Sequence, residues 1–439
     1  MSASRARAST LAITSRSPSY RSCPKYAHLT PSRTLSIPSC LPSQRRHQSS
    51  VAAAIQTAKH MFNNAAPSPI GIDPLQSVAK ELKFLTGNIQ QLLGSGHPML
   101  DTVAKYYTQS EGKYVRPMLV LLMSQATALT VKHERSTPQA VDVDSSMSPS
   151  TVLSDSNPSP LTSPPVVEDL ADTSVLPSQR RLAEITELIH TASLLHDDVI
   201  DNSISRRSAP SANIQFGNKM AVLAGDFMLG RASVALARLR DPEVTELLAT
   251  VIANLIEGEF MQLKNTASDE KHPTYSQETM EYYLQKTYLK SASLISKSTR
   301  AAAILGNCSP DVVEAAYSYG KNLGLAFQLV DDMLDYTVSG AELGKPAGAD
   351  LELGLATAPL LFAWKDNKEL GTLVGRRFAE EGDVKRAHDL VIQSNGIEQT
   401  RAMAEDYINK AREAIAFFPE SQAKAGLLDM CTKVLQRRK

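Results

Sequence analysis

The 439-residue chain carries 46 basic and 46 acidic side chains, is 42% hydrophobic and contains four cysteines. The zero net charge hides a split: residues 1–72 hold nine Lys or Arg and no Asp or Glu, so a leader of charge +9 precedes a body of charge −9. No run approaches the roughly 18 apolar residues that span a bilayer, and the body's two isolated cysteines, Cys308 and Cys431, exclude a disulfide framework and a CxxC metal site.

The leader is rich in Ser, Ala and Arg and free of acid, the composition of a mitochondrial or plastid transit peptide. Residues 1–50 are expected to be that peptide, with "RRHQSS" at 45–50 as the processing region. The alternative is a disordered basic tail. The body, 73–439, first offers "EGKYVRP", with Lys113 and Arg116 ahead of an apolar run. Residues 132–178 are dominated by Ser, Pro and Asp and show no apolar period, so they read as a disordered insertion. Without these 47 residues, 320 remain, enough for one large domain.

Beyond the insertion the chain reads as helical. Between 182 and 202, Leu182, Ile185, Leu188, Ile189, Ala192, Leu195 and Val199 recur at steps of three and four. The same texture returns around 220–264, 281–305, 311–336 and 400–416, and no alternating strands bounded by turns interrupt it. The expected fold is an all-α bundle of long, mostly buried helices.

Two acidic clusters stand out on that pattern. Asp197 and Asp201 are four residues apart and share a helix face with His190, seven residues before Asp197, and Asp198 lies beside them. Asp331, Asp332 and Asp335 repeat the DDxxD spacing, with Gln328 on their face. One such cluster is usually a solvated helix face. Two, each flanked by apolar residues, place like charges in an apolar bundle at a cost of several kcal/mol unless cations complete them. All-oxygen ligation with few carboxylates favours Mg2+, which keeps waters and takes substrate phosphates. Arg206, Arg207, Lys113, Arg116, Lys290 with Ser291, and Lys345 supply the opposite charge. Together they describe a cavity for diphosphate esters.

These residues resemble a known family, the trans-prenyl diphosphate synthases of the polyprenyl branch that makes ubiquinone side chains. "GKYVRP", "HTASLLHDDVIDNSISRR", "FGNKMAVLAGDF", "EGEFMQL", "GLAFQLVDDMLDY" and "GKPAGADLELGLATAPLLFA" occur in the family's order over nearly all of 80–439 outside the insertion. The resemblance implies an isoprenoid synthase-type all-α bundle around a deep central cavity. It also implies a homodimer, or a heteromer with a second subunit, peripheral membrane contact for product release, and no nucleic-acid partner. Asp197, Asp198, Asp201, Asp331, Asp332 and Asp335 would bind Mg2+ on the allylic diphosphate and, with Lys290, form the catalytic set. Lys113, Arg116, His190 and Arg207 would hold isopentenyl diphosphate. Arg206, Lys290, Ser291, Gln328 and Lys345 would contact the allylic diphosphate. Ser291 stands where the family usually has Thr and retains the hydroxyl, while Ser208 replaces the usual Gly after the arginine pair and would stiffen that loop.

A short-chain synthase is the rival within the class. Growing tails should run down the helix that carries Asp197 to Ala192, five residues before it, with Ser193 beside it and Ile189 a turn deeper; short-chain members place an aromatic floor near there, so the small Ala192 reads as an open gate that favours a long product. A phosphohydrolase of the HD type would leave the second acid cluster and the arginine pair unexplained. Terpene cyclases normally lack two intact copies of the motif, and non-catalytic subunits tend to have degraded ones.

Overall fold

The computed structural model describes residues 78–109, 114–133, 174–207, 209–263, 273–337 and 348–437. The expected transit peptide, most of the expected insertion, Lys113, Ser208 and Lys345 lie outside the described residues. In chain order the elements begin with α1 (Ala79–Leu92), α2 (Pro98–Gln109), α3 (Val115–Ala128) and α4 (Pro177–Ile200), followed by a short ribbon of β1 (Ser205–Arg206) and β2 (Ala209–Pro210). Then come α5 (Ala212–Phe216), α6 (Asn218–Arg238), α7 (Pro242–Leu263), α8 (Gln277–Thr287), a π turn (Tyr288–Ala292), α9 (Ser293–Leu305) and α10 (Pro310–Thr337). The chain closes with α11 (Ala349–Glu352), α12 (Ala358–Asp366), α13 (Glu369–Gly375), α14 (Asp383–Gln393), α15 (Gly396–Ala414) and α16 (Gln422–Leu435).

The all-α expectation holds, because apolar residues at three- and four-residue steps give each long helix a face to bury. At the centre, α4 packs against α3, α6 and α9, and α10 packs against α9 and α15. Hydroxyl side chains join these helices: Thr186 on α4 donates to Ser298 on α9 at 3.0 Å, and Thr299 donates to the Ala316 carbonyl on α10 at 2.8 Å. Cys308 and Cys431 are free and buried, as packing residues are.

The structure departs from the sequence-based expectation in four places. The long helix starts at Pro177, inside the span expected to be disordered. Proline suits a first helical position, and Gln179 fastens the start by accepting from the Leu176 amide at 2.9 Å and donating to the Ala302 carbonyl at 2.8 Å. At the other edge of that span, the Lys132 ammonium donates to the carbonyls of Thr127 at 2.8 Å and Gly306 at 2.9 Å, a cation at the C-terminal ends of α3 and α9. The helical stretch 220–264 is two helices, broken where Arg240 takes a φ of 55° and Asp241 accepts from the Val244 amide at 3.0 Å. The third departure is the ribbon, in which Ser205 pairs with Pro210 and Arg206 with Ala209, so the arginine pair rides on a hairpin.

The fourth concerns membranes. Among the described residues, α6 is long and apolar enough to cross one, and 44% of that stretch is buried in the protein. Part of its exposed face is apolar, including Leu223 at 58% exposure, and along α7 Ile256, Phe260 and Leu263 form a second exposed apolar row.

Candidate active site

The first acid cluster ends α4. Asp197 and Asp201 are partly exposed on one side, whereas Asp198 is wholly buried. Burial of a carboxylate demands partners, and Asp198 has them on both oxygens. Arg206 donates to Oδ1 from Nε at 2.9 Å and Nη2 at 2.5 Å, and the Tyr107 hydroxyl donates to Oδ2. Asp197 lacks such bonds. Burial pushes its carboxyl from 3.8 up to about 6; Lys290 pulls it down, and Glu259 and Asp201 push it further up. Asp201 is raised for the same reason, burial first.

The second cluster lies on α10 beside the π turn, a backbone irregularity common at functional sites. Two glycines let the neighbouring helices reach that turn. A Cβ on Gly258 of α7 would stand 3.0 Å from the Lys290 nitrogen, and one on Gly324 of α10 would stand 2.7 Å from the Ala292 Cα. The turn presents Lys290, paired with Glu259 at 2.5 Å, and Ser291, which donates to Gln328 Oε1 at 2.8 Å. Gln328 passes the chain on to Asp332 Oδ1 at 2.9 Å, and the Tyr283 hydroxyl donates to Asp332 Oδ2 at 2.5 Å. Burial still raises Asp332 to about 6 against the pull of those bonds and of Lys286. Asp335 is turned inward, where it accepts from the Asp350 amide at 3.2 Å, while its carbonyl accepts from the Gly348 amide at 3.1 Å. Asp331 is partly exposed and meets Arg437 at 3.0 Å.

The six aspartates therefore divide. Asp198, Asp332 and Asp335 are bonded inside the protein; Asp197, Asp201 and Asp331 face outward. Lys290 acts electrostatically on Asp197 and Asp201, and Lys286, one helical turn earlier, acts on Asp332, so one short stretch serves both clusters.

A third group is basic. The Arg116 Nη1 and His190 Nε2 are 2.9 Å apart. A guanidinium only donates, so Nε2 accepts and the imidazole is neutral with its proton on Nδ1. Burial, then Arg116, Arg207 and Arg206, hold its pKa well below 6.5, in agreement. Beneath them lies Glu187, buried at 3% exposure and 3.7 Å from Arg207 Nη2. Burial raises its pKa, opposed by Arg207 and Arg116. Two left-handed residues that are not glycine frame this group, Tyr114 at φ 44° ahead of α3 and Arg207 at φ 53° in the hairpin.

Those of the sequence-named binding residues that are described fall into these three groups, and sequence reasoning missed several side chains that support them. Glu259 lies in the "EGEFMQL" motif, and Lys286 precedes Lys290 by one turn, so both were within reach of a periodicity argument. Glu187 is three residues before His190 on the same face. Nothing local marks Tyr107, Tyr283 or Arg437. The three chain-length candidates also separate: Ala192 and Ile189 are fully buried, while Ser193 is partly exposed, in line with Asp197 and Asp201 at four-residue steps, its hydroxyl donating to the His190 carbonyl at 2.9 Å.

A family model described as Polyprenyl synthetase matches residues 160–391. The chain belongs to this family. It is 68% identical over 406 residues to a protein named probable hexaprenyl pyrophosphate synthase, mitochondrial, of Neurospora crassa, a match that covers 90% of each chain. It is 45% identical to hexaprenyl pyrophosphate synthase, mitochondrial, of Saccharomyces cerevisiae, over 90% of this chain and 96% of the relative. Among solved structures it is similar to a polyprenyl synthase of Caulobacter crescentus complexed with calcium and isoprenyl diphosphate, with a TM-score of 0.66, 28% identity, and coverage of 83% of this chain and 97% of that one.

The donor set of this family member fits a divalent cation bound together with substrate. Among the described residues no three Asp, Glu, His or Cys side chains close into a ready-made cage. Asp197 and Asp201 are raised by burial and by the neighbouring carboxylates, the signature of negative charge short of counter-charge. An ion that keeps waters and adds phosphate oxygens suits that arrangement.

The raised carboxyls make the folded, cation-free protein hold more protons than the unfolded chain between their ordinary 3.8 and about 6. Their contribution to stability is present at low pH and lost as pH rises through that window. A divalent ion needs them ionised. We expect the divalent-cation concentration for half-saturation, measured by calorimetry, to be flat above neutrality and to rise below about 6, by up to about tenfold per pH unit per proton displaced. Asp197→Asn should flatten that rise; an unchanged profile in the variant would assign it elsewhere.

Proposed function

We propose that the chain extends an allylic diphosphate by successive head-to-tail condensation with isopentenyl diphosphate. The product is a long all-trans polyprenyl diphosphate for the ubiquinone side chain, made in mitochondria. The observation that carries this reading is the meeting of two acid clusters at the Lys286–Lys290 stretch, beside a separate basic group of Arg116, His190 and Arg207. One anionic pocket for cations and one cationic pocket match two diphosphate substrates.

Asp197, Asp201 and Asp331 are assigned the Mg2+ ions, with Asp198, Asp332 and Asp335 supporting them from inside. When bound, Mg2+ neutralises the diphosphate leaving group and so favours breaking of the allylic C–O bond. Arg206, Lys290, Ser291, Gln328 and Lys345 grip the allylic diphosphate. Lys113, Arg116 and Arg207 hold isopentenyl diphosphate, and neutral His190 fixes the Arg116 fork. Held this way, the isopentenyl double bond attacks the allylic carbon, a C–C bond replaces the C–O bond, and the proton leaves to the released diphosphate. Apolar residues around the site exclude water, which would otherwise capture the positive charge that builds on the allylic carbon as its C–O bond breaks.

The exposed apolar rows on α6 and α7 fit a second copy of the chain, since such patches mark interaction surfaces. A heteromeric partner is the second reading, and the two intact acid clusters favour a chain that is itself catalytic. Light scattering should find a dimer, and Phe260→Asp should yield monomer.

Incubation of the purified protein with Mg2+, an allylic primer and isopentenyl diphosphate should give long-chain products by mass spectrometry. Asp197→Asn or Asp331→Asn should cut turnover by about a hundredfold or more, and chelator should abolish it reversibly. Full activity in chelator would refute the assignment.

Chain length offers a further check. Ala192→Tyr overfills a closed core at about 1–3 kcal/mol, whereas Ser193→Tyr places its ring on the partly exposed line one turn below Asp197. Ser193→Tyr should keep consuming isopentenyl diphosphate while products shorten to farnesyl or geranylgeranyl chains. An unchanged long product from a well-folded variant would put the tail elsewhere.

A further inference from the structure

Tyr107, on α2, belongs to neither substrate pocket and is buried at 1% exposure. Its hydroxyl donates to Asp198 Oδ2 and accepts from the Ala212 amide at 2.8 Å, just past the hairpin. Its main-chain carbonyl accepts from Arg207 Nη1 at 2.9 Å. The other oxygen of Asp198 takes both Arg206 contacts, at 2.9 and 2.5 Å. One residue thus reaches both arginines of the hairpin by different atoms. Its neighbour Tyr106 holds the hairpin itself, donating to the Pro210 carbonyl at 2.9 Å and meeting the Phe216 ring edge-on at 5.1 Å.

We propose that Tyr107 is a positioning residue, orienting Arg206 for the allylic diphosphate through its hydroxyl and Asp198, and Arg207 for isopentenyl diphosphate through its main-chain carbonyl. It rests on the two-substrate reading under Proposed function. The physical reason is preorganisation. An arginine loses rotamer freedom when it grips a phosphate, and one already held in place loses less on binding. Asp198, with no exposed surface, keeps that hold only while both its oxygens are bonded. The hydroxyl serves the Arg206 branch and the carbonyl serves Arg207, so deleting the hydroxyl separates the two substrates.

The test is initial-rate kinetics of Tyr107→Phe, with each substrate varied in turn. We expect KM for the allylic diphosphate to rise about tenfold, the scale of one hydrogen bond to a charged group, while KM for isopentenyl diphosphate stays within about twofold. Placed in an Arg206→Ala background, Tyr107→Phe should add nothing to the allylic KM, because the two changes act on one relay. Tyr106→Phe, which loosens the hairpin without touching Asp198, should leave the ratio of the two KM values unchanged. Equal rises in both KM values, no rise in either, an additive double variant, or the same ratio shift in Tyr106→Phe would each overturn the proposal. Should Tyr107→Phe fold poorly by circular dichroism, Arg206→Lys, which keeps the charge but cannot make both contacts to Asp198 Oδ1, tests the same relay, and equal rises in both KM values would overturn the proposal. Wild-type protein that condensed neither substrate would overturn the two-substrate reading itself, and this inference with it.

Discussion

Six carboxylates at the ends of two buried helices set the terms for everything around them. An ionised carboxylate taken from water costs several kcal/mol unless it is paired or hydrogen-bonded. Asp198, Asp332 and Asp335 meet that requirement within the protein, through Arg206 and Tyr107, through Tyr283 and Gln328, and through the Asp350 amide. Asp197 and Asp201 meet it only in part, with the Lys290 charge offsetting a larger desolvation cost. A divalent ion bound together with a diphosphate would supply the charge these two carboxylates lack.

The backbone delivers these side chains by local departures from regular helix. The π turn brings Lys290 and Ser291 between α7 and α10, and it packs there because Gly258 and Gly324 leave room for its main chain. The hairpin carries Arg206 and Arg207 back toward α4, with Arg207 in a left-handed conformation that non-glycine residues seldom adopt. Such conformations persist where the surroundings over-determine them. Here Tyr107, Asp198 and Glu187 do so. The basic group adds a further economy of charge: His190 stays neutral among three arginines, so their guanidiniums gather without a fourth positive charge.

Much of this was legible in the chain before folding. The step of three and four residues identified the helices, since a helix in a large core must bury one face. The DDxxD spacing placed Asp197 with Asp201 on one face, and Ser291, Gln328 and Asp332 proved to be bonded in series, whereas Asp331 and Asp335, expected together, are turned outward and inward. Motif order pointed to the family that the comparisons then established. These are properties of local sequence, set by the geometry of one helix at a time.

Depth and partnership were not legible. Periodicity says which residues share a face but not how far that face lies from solvent, so it put Ala192 at the gate with Ser193 beside it, whereas the fold closes Ala192 into the core and leaves Ser193 on the partly exposed line. It treated six aspartates alike, although Asp198, Asp332 and Asp335 are closed by hydrogen bonds from elsewhere in the chain and Asp331 is met at its exposed side by Arg437. Tyr107 is 91 positions from Asp198, and Arg437 is 106 from the Asp331 it meets. Glu187 is near its arginines only because α3, α4 and the hairpin converge. What the sequence determined by itself was the helical class, the two acid faces and the inventory of charge. Which charges remain open to a cation was decided by tertiary packing alone, because that depends on which distant hydroxyl, amide or guanidinium the fold carries to each carboxylate.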